Sequence, residues 1–314
     1  MNIIEQFAHI VDPVEGDILR QIESCGRVCY KSEDKITPES AAGFVKRAIE
    51  SGHNTVLEMA VLPLVVEFDG MEGFEDFVMS SITPFLQTSH ITTNRLSYDG
   101  VPVLLSGNVR AFREMDGESS DEAYEILEFL SKQHPALFKD VYEKIETPLL
   151  HCPGIEGIRF ATPEELMGQP KHTYVCVRFV TSRDVTHQLV RYRRASLQQE
   201  SQRYCNYTAN RFGNSVTFIR PCWYVEGSEE YKLWAQQCSD AEKMYFRLAE
   251  LGSSEKARTV LPNSTKSELL IYADLEEWQH IFNQRVSPHA YAPTRELLAP
   301  LYEEFKVKYK GLIV

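Results

Sequence analysis

Residues 173–181, TYVCVRFVT, alternate with a period of two and place Val175, Val177 and Phe179 on one face. That pattern predicts a strand with a buried side. Residues 182 to about 194 follow directly and are predicted helical. Val185 and Leu189 stand four apart on an inner face, Gln188 and Arg191 three apart on another. The stretch 178–204 also carries six arginines, at 178, 183, 191, 193, 194 and 203, opposed only by Asp184 and Glu200. Any fold of this chain must therefore bury the strand while presenting a dense group of guanidinium groups just beyond it.

The remaining patterns mix helix and strand. Ile18, Ile22, Cys25 and Val28, then Ala42, Val45 and Ile49, recur at helical spacing across residues 17–51. Pro38-Glu39-Ser40 marks a helix start inside that range and Gly52 a stop. Residues 56–68 turn to β-branched and aliphatic types, a strand signal. Thr265 with Glu268 three residues on has the form of a capping box. It predicts a long amphipathic helix through Ile271, Leu275, Trp278 and Phe282, ending near Arg285 ahead of Pro288. Residues 69–170 are richer in acids, glycine and proline, with one helix predicted at about 121–131. They read as an insertion or subdomain within a single domain spanning 1–314. Helices and strands without regular βαβ alternation predict an α+β fold.

The charge balance sharpens the arginine signal. The chain has 314 residues and a formal net charge of −12, which does not suit non-specific polyphosphate binding. Nucleic acid is not an expected partner, and a phosphorylated ligand would need arginines concentrated against the average. No run of about 18 apolar residues is present, so no membrane span is expected. The N-terminus lacks the basic start and long apolar core of a secretion signal. Seven cysteines, an odd number without a CxxC pair, point to reduced thiols in the cytoplasm rather than a zinc cage or a disulfide frame, so no metal site is expected. Between the arginines lie Gln188, Ser196, Gln198, Gln199, Ser201 and Tyr204. Guanidinium groups suit planar, bidentate contact with phosphate and with carbonyl edges of a heterocycle, so the stretch suits a nucleotide.

The order Arg191-Tyr192-Arg193, seven residues, Ser201, then Gln202-Arg203-Tyr204 resembles the signature of the flavin-dependent thymidylate synthases. That signature reads arginine-histidine-arginine, any seven, serine. Other segments resemble the same family: Arg27-Val28-Cys29-Tyr30, Gly52-His53-Asn54-Thr55-Val56-Leu57-Glu58, Ala257-Arg258-Thr259-Val260-Leu261-Pro262, and Arg285 with His289-Ala290 at the family's spacing. The likeness covers residues 17–68 and 173–300 and leaves the insertion outside.

The resemblance implies a sheet flanked by helices, a homotetramer with shared active sites, and conversion of dUMP to dTMP. Methylenetetrahydrofolate would supply the carbon, and NADPH would reduce FAD, the source of the hydride. No enzyme cysteine attacks the pyrimidine in that chemistry, and His151-Cys152-Pro153-Gly154 reads as a turn with a buried thiol. Position by position, the resemblance implies that Arg285 acts on the pyrimidine, with Ser201 as a further catalytic-site residue that contacts the nucleotide. Gln188, Gln199, Glu200, Ser201, Arg203, Arg258 and Arg285 become nucleotide contacts. Cys29, His53, Thr55, Arg191, Tyr192, Arg193, Arg194, Gln199 and His280 become flavin contacts.

The chain departs from the family at Tyr192 and Met59, each in a histidine's place, and at Asp274 and Glu276, where the family has asparagine and arginine against the flavin. Two acids there are expected to repel an anionic cofactor. Asn108 and Arg110 either start a surface helix or replace the missing donors. The departures also leave open methylation of UMP or a modified pyrimidine nucleotide, and a family member that binds nucleotide or flavin without catalysis.

Overall fold

The computed structural model describes residues 1–12, 14, 16–68, 70, 75, 91–95 (backbone only), 102–115, 121–145, 155–209 and 212–314. In chain order the elements begin with β1 (Asn2–Ile4), β2 (Phe7–Val11), α1 (Ile18–Tyr30), α2 (Ser40–Glu50) and β3 (Val61–Phe68). Then come β4 (Ile91–Arg95), β5 (Pro102–Asn108), α3 (Val109–Arg113), α4 (Asp121–Gln133), α5 (Pro135–Tyr142), β6 (Ile155–Phe160) and α6 (Pro163–Leu166). The second half carries β7 (Tyr174–Ser182), α7 (Arg183–Leu189), β8 (Ser196–Gln199), β9 (Thr217–Ile219), α8 (Glu229–Leu251), α9 (Ser254–Ala257), β10 (Lys266–Asp274), α10 (Leu275–Arg285) and α11 (Ala292–Lys308). Helices and largely antiparallel strands combine without βαβ alternation, so the fold is α+β, as the pattern predicts. Among the described residues no helix is long and apolar enough to cross a membrane, and the six described cysteines are free. Cys152 and its turn lie outside the described residues.

Two units cluster separately: Met1–Pro13 with Ser24–Lys35 and Val175–Val314, and Val14–Glu23 with Ile36–Tyr174. In the first, the order β2-β7-β10-β8 makes a four-stranded sheet, and β1 pairs parallel with β9. Strand β7 forms where its alternation predicts, but it is buried along nearly its whole length, Val177 and Phe179 fully. Helices α7, α10 and α11 supply Val185, Leu189, Trp278, Ile281, Phe282, Leu298 and Phe305 to the core with Leu269 and Ile271 of β10. A smaller core joins α8 and β9 through Tyr245, Cys238 and Phe218.

Two readings of this half, and one of the other unit, need correction. The predicted long helix from Thr265 is a strand as far as Asp274, and α10 starts only at Leu275. The capping-box pattern fails because both side chains are used elsewhere. The Thr265 hydroxyl donates to Pro262 O at 2.7 Å, and Glu268 takes part in a buried ion network. The apolar run 269–273 is instead buried on a sheet, which favours extended backbone. The predicted helix 182–194 stops at Leu189, so Gln188 and Arg191 do not share a helical face. The chain must turn there to lay β8 antiparallel on β10, with Leu269 opposite Gln199 and Tyr272 opposite Ser196. In the other unit the strand predicted at 56–68 begins at Val61, because 54–59 wind into a 3₁₀ segment that buries Val56, Leu57 and Met59.

The second unit is built on β3. Its neighbours β5 and β6 pair antiparallel on either side, and β4 pairs with β5. Leu64, Val66 and Leu105 meet Phe112, Ile126, Leu130 and Phe138 from α3, α4 and α5. Gly52 ends α2 at φ +72°, the left-handed region where glycine carries no steric cost. Helix α4 extends the predicted 121–131 helix by two residues.

Within this unit Ser106 Oγ and His172 Nδ1 are 2.8 Å apart, both residues are buried, and His172 Nε2 meets no described partner. Burial pulls the His172 pKa from 6.5 to about 4, with Lys171 adding to the effect. As pH falls below 6.5 the unfolded chain takes up a proton that the folded ring refuses. Stability should then decline by up to about 3 kcal/mol between pH 6.5 and 4. Urea unfolding at a series of pH values should show that decline in the wild type and a flatter profile in His172→Leu. Parallel profiles would remove His172 as its source.

Candidate active site

The carboxylate of Glu268 is buried on β10, where desolvation alone would raise its pKa. Lys266 Nζ at 2.6 Å and Lys31 Nζ at 2.8 Å hold it down at about 2 instead. Arg178 from β7 donates to the same carboxylate and reaches Glu33 at 3.1 Å. Lys266 also binds Glu200 at 2.8 Å, and Tyr207 donates to Glu200 at 3.1 Å. Glu200, a sequence-predicted nucleotide contact, thus has its carboxylate taken up inside the unit.

This framework shapes the segment after β8. Glu200 N donates to Glu268 O at 2.8 Å, and Ser201 N to Cys29 O at 2.9 Å. Ser201 Oγ accepts from Arg203 N at 3.3 Å, as a turn does. The Cys29 thiol donates to Gln198 Oε1 at 2.8 Å, and burial pushes its pKa up to about 12. Such a thiol stays protonated and unreactive. Gln199 Nε2 and Arg183 Nη1 both lie 3.4 Å from Ser267 Oγ.

Arg285, at the end of α10, packs on Tyr192. Its Nε donates to the Tyr192 hydroxyl at 2.7 Å, and its guanidinium carbon is 5.4 Å from the ring centroid. Gln188 binds the other end of the fork, its backbone O at 3.0 Å and its Oε1 at 3.3 Å. Tyr192 donates onward to Gln284 Oε1 at 3.1 Å, and its ring meets His280 edge-on at 5.8 Å. The turn at 191–195 therefore brings together four predicted residues, Gln188, Tyr192, His280 and Arg285.

Asp274 and Glu276 both have partners within this unit. Asp274 caps α10, accepting from Glu277 N at 2.7 Å, and it is buried. Arg194 lies against this helix start, 3.3 Å from Asp274 and 4.0 Å from each of Glu276 and Glu277. The single arginine offsets only part of the charge of these three acids. Burial still pushes the Asp274 and Glu277 carboxyls upward, with Arg194 opposing it.

The other arginines divide into two groups. Arg203 is exposed, paired with Glu255 at 2.8 Å and stacked over Tyr204 at 5.6 Å. Arg191, Arg193 and Arg258 make no guanidinium hydrogen bond or ion pair with a described residue. Arg183, absent from the sequence-predicted contacts, has only the long Ser267 bond. Burial lowers its pKa, and Arg258 nearby pushes the same way. Its signal was its place in the arginine run. In the other unit, His53 and Thr55 are exposed at the 3₁₀ segment. There Asn108 caps α3 by accepting from Ala111 N at 2.8 Å, and Arg110 binds Glu58 at 2.7 Å and Glu114 at 2.6 Å. A cavity of about 250 Å³ in the arginine-bearing unit is lined by Trp223, Tyr224, Trp234 and Pro262 among others, and by none of the predicted site residues.

The cap at Asp274 is testable. Asp274→Ala should destabilise the protein by about 1 kcal/mol or more, whereas Asp274→Asn keeps a capping oxygen and should cost less. Equal losses in chemical unfolding would show that charge, not the cap, is what Asp274 contributes.

Residues 168–309 match the family model Thy1, thymidylate synthase complementing protein. A flavin-dependent thymidylate synthase of Pyrococcus abyssi is 34% identical over 124 residues, 39% of this chain and 50% of that protein. The one from Pyrococcus horikoshii is 36% identical over the same shares. That of Geobacter sulfurreducens is 33% identical over 121 residues, 37% of this chain and 49% of its own length. The chain spans about half the length of these curated relatives. The matched region holds the arginine run, Arg258 and Arg285, while His53 and Thr55 lie outside it. Residues 168–309 of this chain are thus similar to the Thy1 family of thymidylate synthase complementing proteins.

Proposed function

We propose that the protein is a flavin-dependent enzyme that methylates C5 of a uracil nucleotide, converting dUMP to dTMP with methylenetetrahydrofolate and NADPH. The observation that carries this reading is the set of guanidinium groups at 183, 191, 193 and 258, none bonded to a carboxylate of the described residues in a chain of net charge −12. Cations not hydrogen-bonded to internal carboxylates are the donor set for a bound phosphate. The relatives' names support the flavin. Bound FAD would supply the hydride. Arg191 and Arg193 are exposed and without carboxylate partners, so they fit its pyrophosphate; Arg194, held by three acids, fits it less well. Arg258 and Arg183 would take the nucleotide phosphate, with Gln188, Gln199, Ser201 and Arg203 around the nucleotide.

Arg285 would stabilise charge developing on a pyrimidine carbonyl, so that C5 acts as a carbon nucleophile. The half-buried, protonated Cys29 thiol suits a reaction without a cysteine nucleophile. We read the active form as a cytoplasmic homotetramer, and residues 69–170 as an elaboration on a single Thy1-type scaffold.

Tritium release from 5-labelled dUMP, UMP and dCMP, with NADPH and methylenetetrahydrofolate, tests the proposal. Release from dUMP is expected. Release from UMP alone would move the substrate to the ribonucleotide, and release from none would refute the methylation. Arg258→Ala should weaken dUMP binding at least tenfold by calorimetry, as loss of a charge-assisted hydrogen bond predicts. Arg203→Ala should weaken it less, because Glu255 already pairs with that side chain.

A further inference from the structure

A guanidinium has five N–H donors in a fixed plane. At Arg285 three of them are taken: Nε–H by the Tyr192 hydroxyl at 2.7 Å, one on Nη2 by Gln188 O at 3.0 Å, and one on Nη1 by Gln188 Oε1 at 3.3 Å. One N–H on each terminal nitrogen remains, and neither has a described partner. The phenol oxygen is fixed in turn, since it donates to Gln284 Oε1 at 3.1 Å and its ring is buried beneath the guanidinium. Arg285 itself is only half-buried, so its outer edge stays accessible.

We propose that Tyr192 is the positioning residue for Arg285: its hydroxyl anchors Nε so that the two remaining N–H groups are presented as a pair to a carbonyl edge of the bound pyrimidine. This rests on the reading of Arg285 given above. A phenol suits the task chemically. It accepts from Nε while staying neutral, because burial raises its pKa further from neutrality even though Arg285 beside it opposes that shift. The ring supplies a flat face for the cation. Histidine at this position would have neither the para oxygen nor its reach. The rest of the arrangement is directional. Gln284 orients the phenol, and Gln188 closes the fork from the opposite side, so rotation of the guanidinium about its last bonds is blocked at both ends.

Two measurements test the proposal, one independent of turnover. In the wild type the ¹⁵N–¹H signal of Arg285 Nε, identified by its loss in Arg285→Lys, should exchange slowly with solvent, and in Tyr192→Phe at least ten times faster. Unchanged exchange overturns the anchoring. In the tritium assay, Tyr192→Phe keeps the ring and removes only the oxygen. It should lower kcat about tenfold, the worth of one well-placed hydrogen bond, with nucleotide KM and bound flavin within twofold of wild type. Combining it with Arg285→Lys should lower kcat no further than Arg285→Lys does, because lysine has no Nε for the phenol to hold. A multiplied loss, or a loss confined to KM, overturns the positioning role. Full turnover in Arg285→Ala would instead refute the Arg285 reading itself, whatever Tyr192 does to the exchange rate.

Discussion

A buried carboxylate organises the arginine-bearing unit. Glu268 lies on β10, inside a sheet that also buries Leu269, Leu270 and Ile271. An isolated charge there would be intolerable, and it persists because Lys266, Lys31 and Arg178 surround it. Each partner comes from a different piece of chain: β10 itself, the residue after α1, and β7. Lys31 even adopts φ +48° at its position, a left-handed conformation that costs a non-glycine residue about 1–2 kcal/mol. Removing one member of such a buried set typically costs about 3–5 kcal/mol, because the rest are left uncompensated. The network includes three acids, Glu33, Glu200 and Glu268, and three bases, Lys31, Arg178 and Lys266, so it is neutral as a whole. It can therefore brace the segment after β8 without adding to the charge that a ligand feels.

That neutrality separates two uses of arginine. Arg178, Arg194 and Arg203 are matched by carboxylates, and they hold the protein together or soften its surface. Arg183, Arg191, Arg193 and Arg258 have no such match among the described residues. Arg285 is a third case, bound only by neutral oxygens. Neutral acceptors orient a guanidinium without cancelling its charge, which is what a group meant to stabilise developing negative charge requires.

Reading the sequence singled out the arginine run, but the local geometry around it differs from the spacing-based expectations. Strand β7, helix α2 and the stop at Gly52 follow from local patterns that the core merely uses. Thr265 and Glu268 match the capping box by spacing, yet spacing does not say where a side chain finds its partner. Here one partner of Glu268 is Lys31, 237 residues away in the chain. Asp274 and Glu276 looked like lost donors because their positions were compared one at a time. The cap on α10 and the pairing with Arg194 appear only when residues 80 apart come together.

From the sequence alone came the α+β class, the cationic stretch in an acidic chain, and the residues that carry the family likeness. These depend on periodicity, charge and order, which are properties of a line. The tertiary structure decided which arginines are internally matched, that Glu200 faces inward, that Asn108 and Arg110 are occupied by their own unit, and that Tyr192 lies under Arg285. Those outcomes depend on burial and on partners distant in the chain. The cost of an unpaired charge away from water settles each of them, and that cost exists only once the chain has folded.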